Sequence, residues 1–363
     1  MDKDKSATAA GIVERRVKRN IKEIEAYSVP HIDCSIKLDG NESPFQLPAD
    51  IREKLGESLI GIDIHRYPDP EARVLREKIA RASGIPTDGV LLGNGSDELI
   101  GMLILACTGS TERVLYPTPT FSMYGLSATA MGAEVIEVPL DQNFDIDLES
   151  TLSIIENSDP DLIFLASPNN PTGNAYSEDR IKSIIENAQG IVVVDEAYSD
   201  FSGYTFMPLL EKNENLVIMR TLSKVGFAGL RLGMLYAKPE LVRELNKVRY
   251  PYNINSLSQA AAELVLENHE FVSENIQLVV KERERVFGEL KSISGIDPFS
   301  SDANFILFRV EDADRVFSEL VNRDILIRNF NKPGRLQNCM RVTIGTPEEN
   351  NSFTDALRDI LTP

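Results

Sequence analysis

Short runs of valine, isoleucine and leucine recur along the chain after residue 90, and they constrain its fold more than any other feature. RVLYPTP (113–119), AEVIEVPL (133–140), DLIFLASP (161–168), GIVVVDEA (190–197) and NLVIMRTLS (215–223) are each apolar for a few residues and then turn polar. Runs of that length without polar alternation are strands buried on both faces, as in a mostly parallel sheet. Between several of them lie stretches with helical apolar spacing, such as SATAMG (127–132) and SEDRIKSIIENAQ (177–189), with EARVLREKIARASG (71–84) ahead of them. VLLGNGSDELIGMLILACTG (90–109) reads as a strand, a glycine-rich turn and a helix. This alternation predicts an α/β layered unit with right-handed crossovers.

The pattern changes after residue 256. A long charged helical stretch over 257–294 precedes three candidate strands, ANFILFRV (303–310), DILIRNF (324–330) and CMRVTIG (339–345), with helices around 312–322 and 347–361. That is a smaller α+β unit. A chain of 363 residues exceeds what one core usually supports. The expected division is a large unit over 46–260 and a small one made of 1–45 and 261–363, since 1–45 is too short to fold alone.

The net charge of −18 argues against nucleic acid or an anionic membrane as partner, while leaving room for a small anionic substrate in a local basic pocket. No apolar run approaches ~20 residues, and the charged N-terminus lacks an apolar core, so neither a membrane span nor a signal peptide is expected. The three cysteines (Cys34, Cys107, Cys339) are far apart and read as reduced thiols of a cytoplasmic protein. The three histidines are scattered, so no metal site is expected.

Ligands of an open α/β sheet sit at the carboxyl ends of its strands, and the polar oddities of this chain fall there. GNGSDE (93–98) opens a helix and is either a phosphate cradle or an ordinary turn with a cap. Asp195 ends the run IVVV and either caps the next helix or pairs with a cation, such as a pyridinium nitrogen; Tyr198 follows three residues later. SPNNPTGN (167–174) is a tight turn that either only reverses the chain or aims the Asn170 amide at a ligand. In TLSKVGFAGLRLG (221–233), Ser223 and Arg231 can bind phosphate. There Lys224 is either a strand-end surface lysine or a nucleophilic amine whose commonest covalent use is a Schiff base. Together the four strand ends describe one ligand with a basic ring nitrogen, a phenolic oxygen, a phosphate and an aldehyde for the lysine. Pyridoxal 5′-phosphate has all four.

With these motifs in hand, the chain resembles the fold-type I pyridoxal-phosphate aminotransferases of class I/II from about Tyr27 to its end. The ordered set SPNNPTG, VVVDEAY, TLSK and GLRLG carries the resemblance. Within that group KLDGNESPF (37–45), HRYPDP (65–70), GNGSDELI (93–100), PTPTFSMY (117–124), PYNINSLSQ (251–259) and MRVTIGT (340–346) are most similar to the histidinol-phosphate aminotransferase subfamily. The resemblance implies the type I PLP-dependent transferase fold: a large domain with a mostly parallel central sheet flanked by helices, and a smaller α+β domain. It implies amino transfer between L-histidinol phosphate and 2-oxoglutarate, giving imidazole acetol phosphate and glutamate, in histidine biosynthesis. An aromatic amino-acid aminotransferase and a threonine-phosphate decarboxylase share the pattern. A ligand-sensing regulator would need a DNA-binding module, for which the segment before Tyr27 is too short.

Residue by residue, the resemblance makes Lys224 the Schiff-base lysine and proton shuttle. Asp195 pairs with the ring nitrogen, while Asn170 and Tyr198 contact the ring oxygen. Phe121 stacks on the ring, where relatives often have tyrosine. Gly95, Ser96, Asp97, Thr221, Ser223 and Arg231 hold the phosphate, and Tyr67 reaches it from a neighbouring subunit, which implies a homodimer with shared sites. Arg341 clamps a substrate anion, and Arg328, Tyr27 and Asn41 complete the substrate pocket. One departure is the spacing of Lys224 and Arg231, seven apart where many relatives have one residue more. A shortened loop that still brings Arg231 to the phosphate is the expectation.

Overall fold

A computed structural model describes residues 8–26, 32–109 and 111–362. Two sheets organise it. The first is formed by β2 (Val90–Asn94), β3 (Arg113–Thr118), β4 (Glu134–Pro139), β5 (Leu162–Ala166), β6 (Ile191–Asp195), β7 (Leu216–Thr221) and β8 (Leu232–Tyr236), in the order β2-β8-β7-β6-β5-β3-β4. Strands β3 to β7 pair in parallel, and β8 runs antiparallel to both β7 and β2.

The central strands are buried on both faces. Val192 and Val194 join one hydrophobic cluster with Ile163, Leu165, Leu216 and Ile218, while Val193 joins another with Phe164, Val217 and Met219. That is the period-2 alternation of a strand clothed on each side. Helices Arg73–Ser83 and Glu178–Asn187 pack into the first cluster, and Ser96–Cys107 and Met123–Met131 into the second.

The second sheet contains β1 (Ile36–Leu38), β9 (Ile296–Pro298), β10 (Phe305–Val310), β11 (Ile325–Asn329) and β12 (Cys339–Thr343), in the order β1-β11-β12-β10-β9. Strand β1 pairs in parallel with β11, with Ile36 opposite Ile325. The other pairings are antiparallel. Helices Glu270–Ser292, Ala313–Asn322 and Pro347–Leu361 cover it. The last begins with a capping box in which the Thr346 hydroxyl and the Glu349 carboxylate each satisfy the other's backbone N–H.

Three sequence expectations change. AEVIEVPL is a strand, but an edge strand, and only Val138 of β4 is fully buried. The helical stretch over 257–294 is two helices, Ser256–Glu267 and Glu270–Ser292, parted at Asn268, whose conformation is not helical. LGMLY, which follows Arg231 directly, forms the additional strand β8.

Candidate active site

The carboxyl ends of the parallel strands and the face of the second sheet enclose a cavity of about 280 Å³. Each strand end contributes a different chemistry. After β2 the chain turns at Gly95 (φ +80°) and enters helix Ser96–Cys107, leaving the helix's first N–H groups facing the cavity with Ser96 and Asp97. This turn lies against β8, where a Cβ on Gly233 would come within 2.5–2.7 Å of the Gly95 carbonyl group and the Ser96 nitrogen. A Cβ on Gly95 would stand 2.7 Å from Arg231 Nη2. Arg231, itself left-handed at φ +50°, donates to Asp97 Oδ2 at 3.1 Å and lines the cavity despite its short spacing from Lys224.

At the end of β7 the Thr221 hydroxyl accepts from the Ser223 backbone N–H, and the two hydroxyls lie 2.9 Å apart. Lys224 follows on a short turn of 3₁₀ helix, half-buried, with Nζ 5.6 Å from the centre of the Tyr198 ring.

Asp195 ends β6 on the same sheet face as Val193 and Met219. It is 5% exposed. Its Oδ1 accepts from the Ala197 N–H at 3.0 Å and its Oδ2 from the Tyr124 hydroxyl at 2.7 Å. Burial pushes the Asp195 carboxyl up to about 6, against those hydrogen bonds; the Asp97 charge adds to the rise and Lys224 opposes it. Burial also pushes the Tyr124 hydroxyl well above its ordinary value, so Tyr124 keeps its proton and is the donor. Phe121, one helical turn ahead, meets Tyr124 edge-on at 5.7 Å and lines the cavity.

The second sheet closes the far side. Arg341 of β12 and Arg328 of β11 are direct cross-strand partners, and both line the cavity. The Arg341 guanidinium lies between the Phe305 and Phe330 rings, 5.1 and 5.3 Å from their centres. It donates from Nη1 to Asn170 Oδ1 and from Nη2 to the Asp39 carbonyl, each at 2.6 Å. Asn41, left-handed at φ +54°, donates to the Tyr198 hydroxyl at 2.9 Å and receives a hydrogen bond from Thr343 Oγ1.

Thirteen of the expected site residues therefore line one cavity: Asn41, Ser96, Asp97, Phe121, Asn170, Asp195, Tyr198, Thr221, Ser223, Lys224, Arg231, Arg328 and Arg341. Gly95 supports its rim. Tyr67 stands apart, 81% exposed and stacked on Tyr252 at 4.6 Å. Tyr27 lies outside the described residues. The sequence reading gave no role to Tyr124, to Gly233 or to the aromatic clamp on Arg341. Tyr124 and Gly233 sit inside quoted motifs, but a tyrosine at helical spacing reads as core and a strand glycine as a spacer.

This geometry defines a cofactor-type α/β enzyme site, and the comparisons give its class: the family aminotransferase class I and II matches residues 35–357, so the chain belongs to the class I and II aminotransferases. More particularly, it is 45% identical to the histidinol-phosphate aminotransferase of Aquifex aeolicus over 94% of this chain and 97% of that one. It is 43% identical to histidinol-phosphate aminotransferase 2 of Nitrosococcus oceani over 95% and 97%. In fold it matches the crystal structure of histidinol-phosphate aminotransferase from Sinorhizobium meliloti in complex with pyridoxal 5′-phosphate, with a TM-score of 0.86, 23% identity and 95% and 97% coverage.

Proposed function

We propose that the protein is a pyridoxal-phosphate-dependent aminotransferase that moves an amino group between L-histidinol phosphate and 2-oxoglutarate. The observation that carries the reading is one cavity holding an amine (Lys224), a sealed carboxylate (Asp195) and two cross-strand arginines (Arg328, Arg341). The names of the relatives at 45% and 43% identity support the substrate.

The residues present fit the cofactor. The glycine turn at 95 leaves a cradle that a side chain would fill, beside helix N–H groups, two hydroxyls and the Arg231 guanidinium, which together suit a phosphate. Asp195 would meet the ring nitrogen, where a positive partner offsets the burial that raises its carboxyl. Asn170 and Tyr198 would hold the ring oxygen and Phe121 the ring face. When bound, the cofactor supplies an electron sink for the pair left when the substrate's Cα–H bond breaks.

The chain's own groups do the rest. Lys224 Nζ would take the proton from the substrate's Cα as base and then, as acid, deliver it to the carbon that was the cofactor's aldehyde, so that the amino group moves. Asp195 stays ionised, held by Tyr124 and the Ala197 N–H. Arg341 orients the substrate through its anion, and its fork suits a phosphate or a carboxylate alike. Like charges directly opposite on paired strands disfavour each other. A dianion between Arg328 and Arg341 removes that cost, which supports a phosphorylated substrate.

The reading carries a homodimer in which Tyr67 of each chain reaches the partner's phosphate site. Its support is the exposure of Tyr67 and its stacking on Tyr252, away from its own cavity. It also carries the division into 46–260 and the remainder. The first sheet falls within 90–236, and the second draws on 36–38 and 296–343. We place the enzyme in the cytoplasm, on the support of three cysteines that are all free. No helix among the described residues is long and apolar enough to cross a membrane.

A half-reaction screen tests the proposal. Histidinol phosphate and glutamate should each bleach the visible band of the lysine-bound cofactor, and phenylalanine and tyrosine should not. Release of CO₂ from threonine phosphate, with no response to histidinol phosphate, overturns it.

A further inference from the structure

Behind the cavity, on the opposite face of the first sheet, lies an ion pair between a sealed carboxylate and a half-buried guanidinium, to which nothing above gives a role. Strand alternation turns Asp195 and Thr221 toward the cavity and the adjacent Glu196 and Arg220 away from it. The Glu196 side chain is fully sealed. Its Oε2 accepts from Arg220 Nε at 2.9 Å and Nη2 at 2.7 Å. The Thr205 hydroxyl lies 2.8 Å from the same oxygen, and the Phe206 N–H donates to Oε1 at 2.5 Å. Arg220 Nη2 also donates to Thr205 Oγ1 at 2.7 Å, so one hydroxyl braces both partners.

Its place in the sheet is specific. The parallel pairing of β6 with β7 ends at Asp195 opposite Met219, and the last backbone bond runs from the Glu196 N–H to the Met219 carbonyl. Past that point the ladder ends and cannot fix the separation of the two strands. Glu196 and Arg220 are the next residue on each strand, and their side chains supply one more rung. One partner is joined directly to Asp195; the other precedes Thr221 by one residue and Lys224 by four.

We propose that Glu196 and Arg220 are a positioning pair for catalysis: the rung they form sets the separation between the Asp195 carboxylate and the Thr221–Lys224 turn. It would thereby keep the carboxylate that faces the cofactor's ring nitrogen and the Lys224 amine at the spacing one cofactor needs. Neither residue touches the cavity. A bidentate guanidinium–carboxylate contact fixes both distance and angle, which a lysine in place of Arg220 does not reproduce. Asp200 and Tyr236 are the other titratable groups facing Arg220. Burial raises both, so they stay constant comparators only when the pair's net charge is kept.

The test therefore uses two charge-conserving variants, Arg220→Lys, which loses the fork, and Thr205→Val, a milder change that removes the hydroxyl bracing both partners. It rests on the pyridoxal-phosphate reading, and the two fail differently. Wild-type holoenzyme without a pH-sensitive visible band overturns that reading, whereas a normal wild-type band leaves the pair to be judged on the variants. Purified holoenzymes are titrated spectroscopically and assayed, with cofactor occupancy and circular dichroism confirming folded protein. The expectation for Arg220→Lys is a band midpoint at least half a pH unit above wild type, and kcat lowered ten-fold or more with KM within three-fold. Thr205→Val should shift the midpoint in the same direction by less. A folded variant of either kind that melts earlier but keeps the wild-type midpoint and kcat shows the pair to be structural only, and overturns the inference. Should Arg220→Lys not fold, the Thr205→Val titration decides alone.

Discussion

The phenolic hydroxyl of Tyr124 donates to Oδ2 of Asp195 across 2.7 Å, and both side chains are shut away from solvent. The end of β6 thus carries a carboxylate that is expensive to ionise, and helix Met123–Met131 supplies a neutral donor that makes ionisation cheaper.

In the protein without cofactor, burial pushes the Asp195 carboxyl from its ordinary 3.8 up to about 6. The folded form holds that proton more tightly than the unfolded chain. Its contribution is therefore present below about pH 4 and lost as pH rises through about 6. Two pKa units correspond to roughly 3 kcal/mol. Urea unfolding of cofactor-free wild type and Asp195→Asn between pH 4 and 7.5 should show the wild type losing ground to the variant by about that amount. Parallel curves refute it. Tyr124→Phe, which deletes the hydroxyl donor to Asp195, should extend the loss to higher pH.

Lys224→Ala should abolish both covalent retention of the cofactor and turnover. Mass spectrometry after borohydride reduction should find the label on Lys224 of wild type and nowhere on the variant. Loss of the proton-moving group alone lowers kcat by roughly 10²–10⁴-fold. A variant with undiminished kcat ends the assignment.

Arg341→Ala should lower kcat/KM for histidinol phosphate and for glutamate together, each by about 10²-fold. Truncating one member of a buried charge pair costs roughly 2–5 kcal/mol. Steady-state kinetics with both substrates check it. A loss confined to one of them means that two separate residues read the two anions.

Gly95→Ala should weaken cofactor binding without unfolding the chain. The added Cβ would meet Arg231 at 2.7 Å in a backbone conformation that alanine rarely adopts. Strain of that kind costs roughly 1–3 kcal/mol, or about 10–100-fold in affinity. Equilibrium dialysis with free cofactor measures it, and wild-type affinity contradicts the cradle.

Mixing Lys224→Ala with Tyr67→Ala subunits should restore activity in hybrid dimers. One of the two sites then has an intact lysine from one chain and an intact Tyr67 from the other. Hybrids purified by dual tags that show no recovery remove Tyr67 from the partner's site.

Much of this was legible because buried parallel strands admit so little polarity. Asp195 after four apolar residues, or Lys224 after NLVIMRTLS, stands out against its run, and strand ends are where such a sheet places ligands. Tyr124 did not stand out. Its partner is 71 residues away, and a tyrosine on a helix beside Met123 reads as packing. Strand β8 was hidden because a five-residue run with glycine at its second position, starting beside an arginine read as a phosphate ligand, looks like the tail of the preceding loop. β4 was read as an inner strand from its composition, and only the pairing order reveals it as the edge. The Glu196–Arg220 rung was invisible for a different reason: which charged residues become neighbours across two strands depends on register, and single-chain patterns do not state register.

The pairing of β1 with β11 has a consequence for how the molecule comes into being. Ser35 is bonded to Asp324 across 289 residues, and Ile36 waits for Ile325 before it has a neighbour. During synthesis the first sheet's strands all emerge before that edge can be completed. The turn that carries Asn41 to Tyr198 has no anchored strand until the ribosome has made nearly the whole chain. Assembly of the cavity is thus among the last acts of folding, and a nascent chain stalled short of residue 325 has most of the residues proposed to hold the cofactor but no far wall.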